Sequence, residues 1–304
     1  MINNPLVSVI IPTFNRSELI LGTIKNVLNQ TWKKLEIIII DDGTTDETKH
    51  LILSLDDKIL KYNKNKNNIG CALSRLIGVQ MAKGDYIAFL DDDDEWDKNY
   101  LQNQLKIFTK QPFLDLVISN YVIKNENNVD DIRNMEPFVI NFKKKIHEKP
   151  GPFFQCCLFK RKILQEMEKL LDSNTIPSED WDFFMNLSIL NPSIGYSNQI
   201  GFKWNLSNLS QSSNLIKEAK GINYLINKHK KNIIKICGFT ILSSHYRRIA
   251  MIYEKIGDFK NTKQFYNKAY LAAPYYWKNF SYFLIMNLCQ KIGFNVILKK
   301  RKIF

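Results

Sequence analysis

A mostly parallel α/β domain followed by an α-helical C-terminal region is what the sequence predicts, and three observations predict it. Short β-branched runs alternate with segments of helical spacing through the first hundred residues. Three of those runs end in polar clusters. From about residue 205 onward the periodicity is purely helical. At 304 residues the chain is about twice the length of a typical domain, so one large α/β domain, residues 1–205, and a smaller helical region, residues 206–304, are expected.

The first run, Val7-Ser8-Val9-Ile10-Ile11, ends at Pro12, and Leu19, Ile20, Ile24, Val27 and Leu28 then recur at helical spacing between Arg16 and Gln30. That reads as strand, loop and helix. A second run, Leu35 to Ile40, stops at Asp41-Asp42-Gly43-Thr44-Thr45-Asp46, whose Thr and Asp side chains can cap a helix over Glu47 to Leu55. Another helix is expected over about Gly70 to Met81. After the turn at Lys83-Gly84, the strand Tyr86-Ile87-Ala88-Phe89-Leu90 runs directly into four aspartates. Continuous apolar strands alternating with helices imply a parallel sheet covered on both faces.

Residues 111–200 read as mixed strands and helices, with a polar, mobile stretch from Lys124 to Lys149, a strand near Gln155 to Lys160, and a helix over Trp181 to Leu190. In the C-terminal region, aligning Pro274 with the last position of a tetratricopeptide-like unit puts Tyr246, Ile249, Ala250, Tyr253, Gly257, Tyr266 and Ala269 at its packing sites. A single such unit is a helical hairpin, not a solenoid.

The net charge of +13 is unevenly distributed: residues 1–150 carry 20 Lys/Arg against 21 Asp/Glu, and residues 201–304 carry 19 against 3. Such a basic segment suits nucleic-acid phosphates, anionic lipid headgroups, an acidic glycan or plain solvent, and charge alone does not choose. Five cysteines with no CxxC pair and no zinc spacing fit a reducing compartment. Met1-Ile2-Asn3-Asn4-Pro5 lacks a basic region followed by an apolar core, so no secretory signal is expected. No stretch reaches the ~20 apolar residues of a membrane span. Tyr275 to Leu288 is aromatic-rich but broken by Lys278, Asn279 and Asn287, and Lys299-Lys300-Arg301-Lys302 follows, a pattern of a helix lying on a membrane surface.

In open α/β sheets ligands bind at the carboxyl ends of the strands, so Pro12-Thr13-Phe14-Asn15, Asp41-Asp42 and Asp91-Asp92-Asp93-Asp94 should share one crevice. Four adjacent aspartates repel one another, and Mg²⁺ or Mn²⁺, which takes one or two carboxylates and completes its shell with water and phosphate oxygens, would offset that charge. The run is also compatible with a solvated loop in which Asp93-Asp94 cap a helix beginning near Trp96. Glu179-Asp180 by itself reads as helix capping at the start of the Trp181 helix. The histidines (His50, His147, His229, His245) have no ligand spacing, and Cys156-Cys157 reads as a pair of buried, inert thiols.

Taken together and in order, Val7 to Arg16, Ile39 to Asp46 and Gly84 to Asp94 closely resemble the family 2 glycosyltransferases, inverting enzymes of GT-A fold. The resemblance continues through Asn68-Ile69-Gly70, Arg75 and Ser178-Glu179-Asp180-Trp181-Asp182 and covers about residues 5–205. It implies that Pro12, Thr13 and Phe14 pack against base and ribose, that Asp42 hydrogen-bonds the base, and that Arg75 lies near the nucleotide. Asp91-Asp92-Asp93 matches the Asp-x-Asp motif, with Asp93 the principal metal ligand, Asp91 the second and Asp92 facing the ribose or the metal shell. The register is open by one residue. Asp180 falls on the general base, a carboxylate needed because an acceptor hydroxyl must lose its proton as it attacks the anomeric carbon.

The implied activity is transfer of a hexosyl or N-acetylhexosaminyl group from a nucleotide-diphosphate donor, UDP-sugar by default, to a hydroxyl of a glycan or lipid-linked glycan. Bacterial surface polysaccharide synthesis is the implied setting, with Mn²⁺ or Mg²⁺ as cofactor, in the cytoplasm or peripherally on the inner face of the membrane. Two features depart from the family pattern: Leu76 follows Arg75 where many relatives have asparagine, and residues 201–210 lack the histidine often found near the diphosphate, so that either Lys203 supplies the charge there or the site depends on the metal alone. A nucleotidyltransferase would want a Gly-rich loop after the first strand, which Pro12 to Ser17 lacks. A catalytically silent glycan-binding relative would be expected to lose Asp93 or Asp180. No nucleic-acid-binding module is recognisable.

Overall fold

β1 (Val7–Thr13) and β2 (Leu35–Asp41) are buried along their whole lengths and pair in parallel from Val7 opposite Leu35 to Thr13 opposite Asp41. Their uninterrupted apolar composition suits a sheet interior with both faces covered. Between them α1 (Ser17–Leu28) buries Ile20, Thr23, Ile24 and Val27. After α2 (Thr48–Leu53), β3 (Leu60–Lys64) extends the parallel block beyond β2. α3 (Cys71–Met81) and β4 (Tyr86–Phe89) complete it, with β4 parallel to β1.

In this computed structural model, residues 4–55, 57–124, 130–167, 171–205 and 214–292 are described. The later elements of the first unit are β5 (Glu95–Trp96), α4 (Tyr100–Lys110), β6 (Leu116–Lys124), β7 (Asp130–Arg133), α5 (Glu136–Ile140) and α6 (Phe142–Glu148). A 3-10 turn at Phe154–Cys156 leads into β8 (Cys157–Lys160), followed by α7 (Arg161–Gln165), α8 (Glu179–Leu187) and β9 (Ile194–Asn205). The strand order is β3-β2-β1-β4-β8-β6-β9-β5, with β7 on β6.

The sheet is mixed, and the mostly parallel arrangement expected is the block of β1 to β4. β8 runs antiparallel to both β4 and β6, and β5 antiparallel to β9. Three local expectations are also corrected. No helix begins near Trp96, because that residue is held in β5: its backbone N–H donates to Asn26 Oδ1 at 3.0 Å and its indole to the Gln155 carbonyl at 2.7 Å. The helix starts at Tyr100. Within the stretch read as mobile, β7, α5 and α6 form, and Phe138, Phe142 and Ile146, spaced by four, are buried. The strand near Gln155 begins only at Cys157, behind the 3-10 turn.

The chain divides into two compact units, residues 1–173 with 179–208, and residues 174–178 with 209–304. The second contains α9 (Leu215–Cys237), α10 (Phe239–Ile256), α11 (Phe259–Ala272) and α12 (Trp277–Ile292). α10 and α11 meet at Gly257, whose φ of 81° is the left-handed conformation a helix C-terminus wants, and Asp258 then caps α11 by accepting from Asn261 N at 3.0 Å. Tyr246, Ile249, Ala250, Tyr253, Tyr266 and Ala269 are buried along this pair. Lys299-Lys300-Arg301-Lys302 lies outside the described residues. No helix among the described residues is long and apolar enough to cross a membrane.

Candidate active site

The carboxyl ends of β2, β1 and β4 lie side by side, so the loops that follow them converge. The loop after β1 is tied to the one after β4 by Thr13, whose hydroxyl donates to Asp92 Oδ2 at 2.7 Å, and by Arg16, whose Nη1 lies 3.3 Å from Asp93 Oδ2. Thr23 on α1 reaches the same loop, donating to the Asp92 carbonyl at 2.9 Å. The loop after β2 joins through the Asp42 N–H, which donates to the Thr13 carbonyl at 2.8 Å. Pro12 and Thr13 are buried at the strand end, and Phe14 is 41% exposed beyond them.

Asp42 is turned into the protein. Its carboxylate accepts from Asn65 Nδ2 and Ile69 N, each at 2.9 Å, and from Gly70 N at 2.8 Å. Three of its roughly four acceptor positions are thus filled by the chain. It holds the 65–70 loop against β2, and Gly70, at φ 91°, supplies the backbone conformation that lets α3 start there.

Arg75 on α3 is buried among carboxylates. Nη2 donates to Asp91 Oδ1 at 2.7 Å, Nη1 donates to Glu179 Oε1 at 3.2 Å, and Asp180 Oδ1 lies 3.9 Å away. The guanidinium sits 5.1 Å from the centre of the Phe154 ring, which covers one face and leaves its edge to the acids. Although burial works against its charge, Asp91, Asp180 and Glu179 hold it firmly protonated. Thus Arg75 joins the acidic loop after β4 to the first turn of α8.

Sequence reasoning passed over Gln155 and Phe154. Gln155 is buried, and its amide donates to Asp91 Oδ2 at 2.6 Å and lies 3.4 Å from Asp94 Oδ2. The Phe154 N–H donates to Asp180 Oδ2 at 3.3 Å. Both residues sit here because β8 runs antiparallel to β4, which brings the start of β8 beside the end of β4. A neutral amide in an apolar stretch gives no motif; the only available signal was that Gln155 interrupts Phe153-Phe154 and Cys156-Cys157-Leu158-Phe159.

Burial and crowding set the electrostatics. Burial and the neighbouring charges of Asp93 and Asp91 push the Asp92 carboxyl up to about 7, against the opposing hydrogen bond from Thr13. Burial and Asp91 raise Asp93 too, with Arg16 opposing. Asp180 is pushed up to about 8 by burial, resisted by Arg75 and reinforced by Glu179 and Asp91. Among the described residues no three His, Cys, Asp or Glu side chains converge into a closed metal cage. An all-oxygen pair such as Asp91 and Asp93, in a loop where the Asp92 and Asp93 carboxyls are raised, fits instead an open site in which Mg²⁺ or Mn²⁺ draws its other ligands from diphosphate and water.

The fold and this arrangement define a glycosyltransferase of GT-A type. The crystal structure of S. aureus TarS 1-349 in complex with UDP-GlcNAc superposes with a TM-score of 0.68 at 16% identity, covering 94% of this chain and 92% of that one. Mannosyltransferase PcManGT from Pyrobaculum calidifontis, solved with GDP-Man and Mn²⁺, gives 0.58 at 16% identity over 95% and 87%. The family model for glycosyl transferase family 2 matches residues 8–168, and the chain belongs to that family. An uncharacterized glycosyltransferase of Haemophilus influenzae is 33% identical over 80% of this chain and 96% of its own length. Two Escherichia coli enzymes named UDP-Glc:alpha-D-GlcNAc-diphosphoundecaprenol beta-1,3-glucosyltransferase are similar: WfgD, at 31% over 71% of this chain and 83% of the enzyme, and WfaP, at 30% over 83% and 93%.

Proposed function

We propose that this glycosyltransferase moves a sugar, with inversion, from a UDP-sugar to a hydroxyl of a lipid-linked glycan. The observation that carries the reading is the fork of Arg75 between Asp91 and the Glu179-Asp180 pair, which sets a diphosphate-facing acid and a candidate base on either side of one buried cation. Pro12, Thr13 and Phe14 line the nucleoside side, Asp42 shapes it through the 65–70 loop, and Asp92 braces Thr13. Asp93 and Asp91 hold the divalent cation, whose chemistry is to neutralise the departing diphosphate.

Asp180 takes the proton of the acceptor hydroxyl as its oxygen bonds to the anomeric carbon, and the bond from that carbon to the diphosphate oxygen breaks on the opposite face. One bond forms as one breaks, the nucleoside diphosphate carries away the electron pair, and the anomeric configuration inverts. Lys203 stands opposite Glu95 in the β5–β9 register. The names of WfgD and WfaP support the choice of UDP-glucose-type donor and undecaprenyl-linked acceptor.

Such an acceptor places the protein at the cytoplasmic face of a membrane. The exposed Tyr275, Trp277, Phe280 and Leu284 of the second unit supply the apolar contact, and the excess of lysines supplies attraction to anionic headgroups. Replacing Trp277 and Phe280 together by serine should abolish sedimentation with phosphatidylglycerol vesicles; unchanged sedimentation removes the membrane contact. The central test is nucleotide-sugar turnover with Mn²⁺: activity in the wild type that survives both Asp93→Ala and Asp180→Asn would sink the mechanism.

A further inference from the structure

Trp204 is placed beside the site from two directions. Along β9 it follows Lys203, which pairs with Glu95, the residue after Asp94. From the other side, Phe154 N holds the Asp180 carboxylate, and the ring of Phe153, one residue earlier, packs against Trp204 with centroids 5.0 Å apart and planes at 61°. Phe153 is fixed from behind by Tyr121, at 5.2 Å, and by Phe202, at 6.5 Å. The result is a rigid aromatic corner. Both of its outer members remain partly open to solvent, whereas Phe202 and Tyr121 are buried.

The indoles of Trp32, Trp96 and Trp181 all donate to backbone carbonyls. Trp204's indole N–H has no partner among the described residues. An aromatic face with a free donor at its rim matches a pyranose ring, which presents a face of C–H groups edged by hydroxyls.

We propose that Trp204, backed by Phe153, is the stacking surface for the acceptor's sugar ring, holding the ring so that its hydroxyl meets Asp180. This rests on the glycosyl-transfer reading above and adds the residue that recognises the acceptor. No part of it concerns the donor, which lies over β1, β2 and β4.

The probes are UDP and the octyl glycosides of N-acetylglucosamine, glucose and galactose, followed by saturation-transfer NMR on the full chain with UDP and Mn²⁺ present. At least one glycoside should bind the wild type, with strongest transfer to ring C–H protons. Trp204→Ala should weaken that binding about tenfold or more, Trp204→Phe should restore most of it, and UDP affinity should stay within about twofold in both. Glycoside binding unchanged in Trp204→Ala, or UDP binding lost along with it, overturns the proposal. UDP binding with no glycoside binding in the wild type overturns the stacking surface alone. Failure to bind UDP at all overturns the reading on which it rests.

Discussion

Arg75 Nη2 donates to Asp91 Oδ1 at 2.7 Å, and this bond links α3, a helix packed against β1 and β2, to the loop that ends β4. Because the same guanidinium also reaches Glu179 and Asp180, the loop after β4 and the first turn of α8 share one cation. Replacing Arg75 by methionine strands three carboxylates beside an apolar side chain. Loss of one member of a buried ion pair typically costs about 3–5 kcal/mol, so thermal unfolding of Arg75→Met should occur at a clearly lower temperature. Arg75→Lys should rescue little, because an ammonium cannot fork. A melting temperature unchanged in Arg75→Met would show that the network carries no stability.

Asp180→Asn should lower kcat by about 10²–10⁴-fold, the usual worth of a general base. UDP affinity measured by calorimetry should be unchanged, since the proposed mechanism assigns this carboxylate to the acceptor. A variant that loses UDP binding instead would place Asp180 on the donor side.

The raised carboxyl of Asp180 fixes the direction of the pH profile. Its proton is held to about pH 8 in the free enzyme, so the ionised, proton-accepting form grows as pH rises. The rate kcat/KM should climb between about pH 6 and 9 and level off above the folded-state value. A profile that is flat or falling over that interval would remove Asp180 as the base.

Gln155→Leu removes the amide that steadies Asp91 and lies beside Asp94. Partners that orient a ligand typically matter by about 10–100-fold in metal affinity, so Mn²⁺ binding measured with UDP present should weaken by that order. Equal affinity in the variant would assign Gln155 to packing alone.

Far from the site, Glu36 accepts from Ser8 Oγ at 2.5 Å and from Lys83 N at 2.7 Å and pairs with Lys61. Burial opposes its charge, but the hydrogen bonds and Lys61 win and hold its pKa below the ordinary value of 4.5. A depressed folded-state pKa contributes stability that is present above the unfolded value and lost as pH falls through the folded one. Denaturant titrations should show wild-type stability declining below about pH 4.5, with a shallower decline in Glu36→Gln. Parallel curves would contradict this.

Much of the crevice was legible because β1, β2 and β4 are unbroken apolar runs that stop abruptly at polar residues. Thr13, Asp42 and Asp91 to Asp94 stand at those stops. β3 was not legible: Leu60-Lys61-Tyr62-Asn63-Lys64 is a half-exposed edge strand whose lysines and asparagine carry no strand signal. The helices α5 and α6 were obscured because three lysines and two asparagines surround the Phe138, Phe142, Ile146 stripe. Asp42 shows a different limit. Its type and position read as a group for a ligand, yet the donors it meets, Asn65, Ile69 and Gly70, lie more than twenty residues away, and no local pattern reveals them.

The reversal of β8 gives the crevice a wall that the parallel strands alone cannot supply. The parallel strands deliver chain exits to the crevice, and each exit is committed to a helix that must return across the sheet. β8 delivers a chain entrance, so the register from Cys157 onward sets Phe154 and Gln155 at the crevice from the direction opposite to those exits.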